Sequence, residues 1–380
     1  MLRQDTYSIL KCKHSLFDSS INLRFSLRST GLFGLGFAVV TKSIKTTIYV
    51  LVAIFTAEFV YANQTLISGQ TMGTTYHIKV VPANFKKTSD LKKKIDKRLE
   101  VINKSMSTYR KDSEISRFNA LKVIGQRFKV SRDFAQVIIE SKRLYRLTGG
   151  AWDGSIYPLV NLWGFGMSER KNRLPTKEKI AGLLRDVGFE NIDLVDGRYL
   201  LKKKASISID LASIAKGYAV DKVAELIKKE EIKNFLVEIG GEVFASGLRK
   251  DGGPWRVGIN MPLKNTAFHT VYKIVPLHNR AMATSGDYRN FFEQDSKRYA
   301  HILDPRTGYP VTNGVVSVSI IAGTCTFADG LATAVMVMGP AKGIELINAL
   351  PDVEGLIVVR QAGSQLVDYP SSGFQAKSEP

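Results

Sequence analysis

Asp329 and Thr333 stand four residues apart in the apolar run TCTFADGLATAVMVMG, residues 324–339. Positions i and i+4 share one helix face, so a carboxylate and a hydroxyl would leave this helix side by side. Two such oxygen donors suit a hard cation like magnesium, which takes one or two carboxylates and leaves its other positions to phosphate and water. A purely structural reading competes. Thr326 to Asp329 has the form of a capping box, and Thr333 can donate back to its own helix. In ISIDLASIAKGYAVD, residues 207–221, Asp210 lies between a strand and a helix, and Lys216 follows in the first helical turns. Free N–H groups at a helix start beside a lysine ammonium suit a phosphate. An N-cap Asp and a solvated Lys explain the same pattern. The chain has no GxxxxGKS run, so this is not a P-loop.

Three further stretches carry chemistry-bearing residues. His301, one of five histidines, precedes the turn DPRTG, with Asp304 and Arg306 close in sequence. Pro305 fixes φ in that turn and Gly308 closes it. GGAWDGSIYPLVNLWGFG, residues 149–166, combines aromatics, glycines and Asp153 in a loop-like segment suited to a planar ligand or to an irregular core. In EIGGE, residues 238–242, paired glycines permit either a close backbone approach or a bulge.

These residues need a frame. TTYHIKVV (74–81) alternates like a strand, and so do NFLVEIGGEVFASG and WRVGIN. Ser89, Ser131 and Thr176 sit where N-caps belong, the first before a helix with Leu91, Ile95, Leu99 and Ile102 on one face. The helix from Ser131 is expected to end at Gly149–Gly150, and SIAKGYAVDKVAELIKK is a further helix. Asp196–Gly197 marks a hairpin, and a second hairpin is expected to turn near Asp295–Ser296. GVVSVSII reads as a buried strand entering the 324–339 helix, which Gly339–Pro340 ends; Gly355–Val359 reads as the last strand, followed by a loose polar tail over 361–380. Strands in hairpins with helices between the groups predict an α+β fold of mixed or antiparallel sheets with packed helices. It should form one compact catalytic unit, or two intimately packed halves, over residues 63–360.

The 380 residues carry a formal net charge of +19. Basic chains suit nucleic acid, membrane surfaces or anionic substrates. The lysines and arginines are scattered, however, and no nucleic-acid motif accompanies them, which argues against nucleic acid as partner. Two cysteines, Cys12 and Cys325, leave no zinc spacing or disulfide framework. Residues 1–62 read as a leader: Lys42 and Lys45, an apolar run from Ile48 to Ala57, and VYA ending at Ala62 match a secretory signal cleaved after Ala62. An uncleaved membrane anchor is the alternative. No cysteine near the cleavage point supports a lipoprotein. The expected location is periplasmic, or attached to the periplasmic face of the inner membrane.

Taken together and in this order, TMGTTY, MSTYRKDSEISRFN, GGAWDGSIYPLVNLWGFG, IDLASIAKGYAVD, VEIGGE, TSGDY, HILDPRTG and FADGLATAVMVMG strongly resemble the ApbE family of flavin transferases. The resemblance runs from about Gly69 to Val359. It implies a magnesium-dependent enzyme that splits the FAD diphosphate, attaches FMN to a Thr or Ser hydroxyl of a target respiratory or electron-transfer subunit, and releases AMP. Hydrolysis of FAD to FMN and AMP, or flavin binding without a protein target, is the alternative.

Carried over motif by motif, Asp329 and Thr333 match magnesium ligands, and Ser213 matches a residue giving its backbone carbonyl to the metal. Met72, Tyr109, Ala151, Trp152, Asp153, Asp210, Lys216 and Leu303 match flavin-contacting positions. His301 is the first candidate for the base, on the strength of its neutral-range ordinary pKa, and Asp287 the second. The chain departs from many relatives in having Ala212 for Gly and Glu242 for Asp, and it carries Ala332 where some have a carboxylate.

Overall fold

The computed structural model describes residues 64–81, 90–166, 174–263, 270–287, 291–294, 297–361 and 365–378. The expected leader, the cap at Ser89 and the turn near Asp295–Ser296 lie outside the described residues.

Period-two apolar patterning builds one long sheet. Its strands are β1 (Thr65–Thr71), β2 (Thr74–Val81), β3 (Asn234–Ile239), β4 (Glu242–Ser246), β5 (Arg280–Gly286), β6 (Val315–Ala322), β7 (Glu354–Arg360) and β8 (Leu366–Pro370). They lie side by side in chain order, and every neighbouring pair is antiparallel. Alternate side chains serve two cores. Phe235, Val237, Phe244, Ala281, Ala283, Ile320 and Ile357 enter the main core with the helices. Leu236, Val243, Ala245, Met282, Ile321 and Leu356 pack on the other face. There they meet Trp255, Val257, Ile259, Val275 and Leu277 of a small sheet formed by Trp255–Asn260, Val271–Leu277 and Lys377–Ser378. Covered on both faces, β6 is buried along its whole length, as its unbroken apolar run requires.

The longer helices are α1 (Leu91–Met106), α2 (Arg132–Leu147), α3 (Ala212–Lys229), α4 (Cys325–Met338) and α5 (Pro340–Ala349). The caps at Ser131 and Thr176 form as the sequence predicts, each side-chain oxygen accepting an N–H three residues on. Asp90 occupies the cap position of α1 without a side-chain capping bond. Gly339, at φ +81, ends α4, and Pro340 starts α5 immediately, where its missing N–H costs nothing. The hairpin at Asp196–Gly197 forms with both residues at positive φ, as a tight two-residue turn needs. Phe291–Gln294 pairs with Lys297–Ala300 as the second hairpin.

The α+β expectation therefore holds, with antiparallel pairing throughout the described strands. Two expectations are corrected. Gly355–Val359 lies in β7 but is not the last strand, because β8 pairs with it. Nor is the tail loose: Lys377–Ser378 also pairs with the strand at Val271–Leu277. The described residues cluster as a single unit. Among the described residues, no helix is long and apolar enough to cross a membrane.

Candidate active site

The site begins where α3 and α4 cross. Gly217 of α3 lies so close to α4 that a Cβ there would sit 2.3 Å from the Cys325 carbonyl oxygen and 2.8 Å from the Asp329 Cβ. The Gly217 N–H donates to Asp329 Oδ2 across 2.9 Å. In a regular helix this N–H points to the carbonyl four residues back, which belongs to Ser213. The capping box expected at Thr326–Asp329 is not what forms. Thr324 is the N-cap of α4 and accepts the Phe327 N–H. Thr326 instead donates to Asp221 across 2.5 Å. That carboxylate, reaching over from α3, also accepts the Cys325 and Thr326 N–H groups at 2.8 Å. With the first turn of α4 satisfied from α3, Asp329 is left to face inward. Thr333 does donate back to its own helix, to the Asp329 carbonyl at 3.4 Å, and its hydroxyl also meets Ser285 at 3.0 Å.

Asp329 is only 4% exposed and Glu242, the first residue of β4, only 2%. The Lys216 ammonium acts on both: its Nζ is 2.5 Å from Glu242 Oε1, and its charge reaches Asp329 through space. Burial pushes the pKa of both carboxylates up, and the Lys216 ammonium pulls each back toward the charged form. Burial alone would lower Lys216, but the charges of Glu242 and Asp329 outweigh it and hold the ammonium protonated. The other oxygen of Glu242, Oε2, is buried with no hydrogen-bond partner among the described residues.

These groups line a cavity of about 480 Å³. It also takes in Tyr109, Ala151, Trp152, Asp153, Asp210, Ser213, His301, Leu303 and Thr333, so all the sequence candidates except Met72 and Asp287 converge on it. Trp152 is buried edge-on to Phe189, and its Nε1 donates to Ser213 Oγ across 3.1 Å, fastening the start of α3 to the 149–166 segment. Asp153 braces the wall: its oxygens accept the Ser155 N–H, the Ser155 hydroxyl and the Phe189 N–H, while burial raises its pKa to about 6. Asp210 accepts the Ala212 N–H, and burial raises it as well. Tyr109, at 71% exposed, stands at the cavity mouth. His301 is half-buried, its ring edge-on to Phe165 with centroids 6.3 Å apart.

Two candidates lie elsewhere. Met72 occupies the β1–β2 turn at φ +50 and packs on the main core. Asp287 follows β5 with its carboxylate 3.6 Å from Arg298; burial raises its pKa, and Arg298 and Arg360 oppose the rise. Asp304 and Arg306 pair with each other through two 2.8 Å bonds. Ala332 is buried in the main core and is not part of the cavity lining. Thr284 and Ser285 in TSGDY and Phe165 in the 149–166 segment line the cavity without having been singled out within their motifs, and the pairing of Glu242 with Lys216 was missed. The acid at the end of EIGGE was the one available signal for the last.

Residues 72–357 match the ApbE family. The chain belongs to that family. It is 44% identical over 315 residues to the FAD:protein FMN transferase of Vibrio cholerae, covering 83% of this chain and 92% of that protein. It is 34% identical to the FAD:protein FMN transferase of Escherichia coli K12, over 82% of this chain and 88% of that protein. The solved structure of the flavin transferase ApbE from Vibrio cholerae superposes with a TM-score of 0.74 at 42% identity, covering 82% of this chain and 98% of that one. The apo flavinyl transferase ApbE of Pseudomonas stutzeri gives a TM-score of 0.73 at 37% identity, covering 82% and 95%.

Within this ApbE-family chain, Ala212 is exposed at the cavity edge and starts α3, so its methyl group meets solvent rather than the packed helix crossing. Into the cavity the chain offers oxygen atoms of Asp329, Thr333 and Ser213 and the Lys216 ammonium, a set suited to phosphate and a hard cation.

Proposed function

We propose that the chain is an FAD:protein FMN transferase. It cleaves the FAD diphosphate, joins FMN through a phosphoester to a Thr or Ser hydroxyl of a partner electron-transfer protein, and releases AMP. The observation that carries this reading is the juxtaposition of buried Asp329 with Lys216 in a cavity walled by Trp152, Leu303 and Phe165. The aromatic and aliphatic walls suit a planar flavin, and the charged end suits a diphosphate.

The donors at this site suit magnesium. Among the described residues, no three His, Cys, Asp or Glu side chains gather as a metal cluster. Magnesium does not need one, because it commonly takes one or two carboxylates with substrate phosphate and water. Asp329 and Thr333, with the Ser213 carbonyl at the helix crossing, would hold it. When bound, the cation supplies charge neutralisation for the diphosphate.

The chain's own residues do the rest. Lys216 presents its ammonium to the diphosphate, a point charge rather than a fork. The acceptor hydroxyl oxygen forms a bond to the FMN phosphorus. The bridging P–O bond breaks, its electron pair leaves on AMP, and the hydroxyl proton passes to a ring nitrogen of His301. Phe165 fixes the edge of that imidazole. Asp287 is set aside as the base because its carboxylate is turned to Arg298. The walls position the flavin and limit competing attack by water.

Export is part of the proposal. The basic, apolar and small-residue order ending at Ala62 supports action outside the cytoplasmic membrane, where respiratory subunits present acceptor domains.

The test is incubation of the mature protein with FAD, magnesium and an acceptor domain, followed by in-gel flavin fluorescence after denaturation and assay of AMP. Acceptor-dependent fluorescence with AMP release supports the transferase. AMP and free FMN without labelled acceptor support the hydrolase reading instead. His301→Ala should slow transfer by about a hundredfold or more; an unchanged rate removes His301 as the base.

A further inference from the structure

Lys216 has two carboxylates within electrostatic reach and pairs closely with one. Its Nζ lies 2.5 Å from Glu242 Oε1, while Asp329 also acts on it through space. The residue after Lys216 is Gly217, whose N–H binds Asp329 Oδ2, so the lysine begins its side chain next door to that carboxylate. The turn before β4 directs the stem. Gly240, at φ +62, would carry its Cβ 3.4 Å from Lys216 Cδ, and this glycine turn walls the lysine toward Glu242.

The arrangement is poor for stability alone. Glu242 Oε2 is buried without a hydrogen-bond partner among the described residues, and two buried carboxylates share one ammonium. Leaving a buried acceptor unpaired costs about 1–3 kcal/mol, more when charged. An apolar residue of similar size would serve folding as well or better. The excess negative charge needs another explanation.

We propose that Glu242 is a positioning residue that holds Lys216 off Asp329, so that Asp329 keeps its charge for the cation and Lys216 stays aimed at the diphosphate. This rests on the function proposed above. Without Glu242, the ammonium has one carboxylate left to pair with, and the pair it forms quenches the ligand the cation needs. The effect of losing Glu242 must then run through Lys216 and vanish when Lys216 is also removed.

The experiment measures Mn²⁺ affinity by electron paramagnetic resonance, and FAD affinity by flavin fluorescence, on the mature protein and its variants. Glu242→Gln should weaken Mn²⁺ binding by about tenfold or more, an effect of the size expected for pairing one buried ligand charge. Glu242→Asp, which keeps the charge on a shorter stem, should recover most of it. The double variant Glu242→Gln with Lys216→Met should bind Mn²⁺ within a few-fold of the parent, while FAD affinity stays weak because the phosphate-facing ammonium is gone. Unfolding midpoints of each variant separate this from misfolding, and only the Mn²⁺ affinity of the folded proteins is read. Wild-type Mn²⁺ affinity in Glu242→Gln, or a double variant no better than the single one, overturns the proposal and leaves the transferase reading intact. A parent protein that binds neither Mn²⁺ nor FAD overturns both.

Discussion

Gly217 gives its amide to the Asp329 carboxylate across 2.9 Å, at a point where α3 and α4 approach too closely for any side chain. One glycine thus sets the distance between two helices and fixes the carboxylate that projects between them. Gly217→Ala places a methyl carbon against the Cys325 carbonyl, and backbone cannot yield as a flexible side chain can. The expected cost is about 1–3 kcal/mol from overpacking. Because the shift falls on Asp329, transfer activity should drop further than stability explains. Chemical denaturation beside an FMN-transfer assay checks both; an alanine variant with unchanged transfer contradicts the geometric account.

Asp221 should be the stability anchor of α4. Its carboxylate accepts two backbone N–H groups and the Thr326 hydroxyl at the start of that helix. Asp221→Ala removes all three bonds and should cost about 1–3 kcal/mol, since Asp221 is half-buried beside an open surface pocket and water reaches part of the gap. Asp221→Asn, which keeps an acceptor, should cost less. Urea unfolding midpoints of the two variants decide it, and equal losses would mean that burial, not capping, sets the effect.

Asp153 should leave a signature in the pH dependence of stability. Burial raises its pKa to about 6, against the hydrogen bonds from Ser155 and Phe189 that favour the charged form. The folded state therefore binds this proton more tightly than the unfolded chain does. Its contribution is complete below the ordinary carboxylate pKa, near 4, and is lost as pH rises through about 6. Relative to Asp153→Asn, the wild-type protein should lose roughly 2–3 kcal/mol between pH 4 and pH 7. Parallel stability curves across that window would show that Asp153 has the same pKa folded and unfolded, and would contradict the shift.

Asp329→Asn separates folding from chemistry. It removes a buried charge that burial disfavours, so without magnesium and FAD the variant should be at least as stable as the parent. FMN transfer should fall by about a hundredfold or more, with the loss shrinking at high magnesium if Thr333 and Ser213 still recruit the cation. Thermal unfolding and initial rates across a magnesium series test both halves.

Local signals made much of this fold legible. Asp196–Gly197 specifies its turn by chemistry, Ser131 and Thr176 specify their helix starts, and the apolar run of β6 specifies burial on both faces. What the sequence hid is long-range. LVDYP, at Leu366–Pro370, is short, sits in an otherwise polar tail and ends in proline, features tolerated on the edge strand it forms. The competing capping-box reading of Asp329 fails because the acceptor at the start of α4, Asp221, lies more than a hundred residues earlier in the chain. Asp304 and Arg306 looked like partners for His301 by proximity, yet they satisfy each other. The cavity itself was legible only through the family resemblance: Tyr109, Trp152, Asp210, His301 and Asp329 share no spacing that would join them.

The central claim is that this cavity moves FMN from FAD onto a protein hydroxyl. Intact-mass measurement of an acceptor domain, after incubation with the protein, FAD and magnesium, tests it most directly. The account predicts that the acceptor gains one FMN in phosphoester linkage for each AMP released, and that an acceptor whose target Thr is changed to Ala gains none. AMP release with the acceptor mass unchanged, and FMN free in solution, would contradict it.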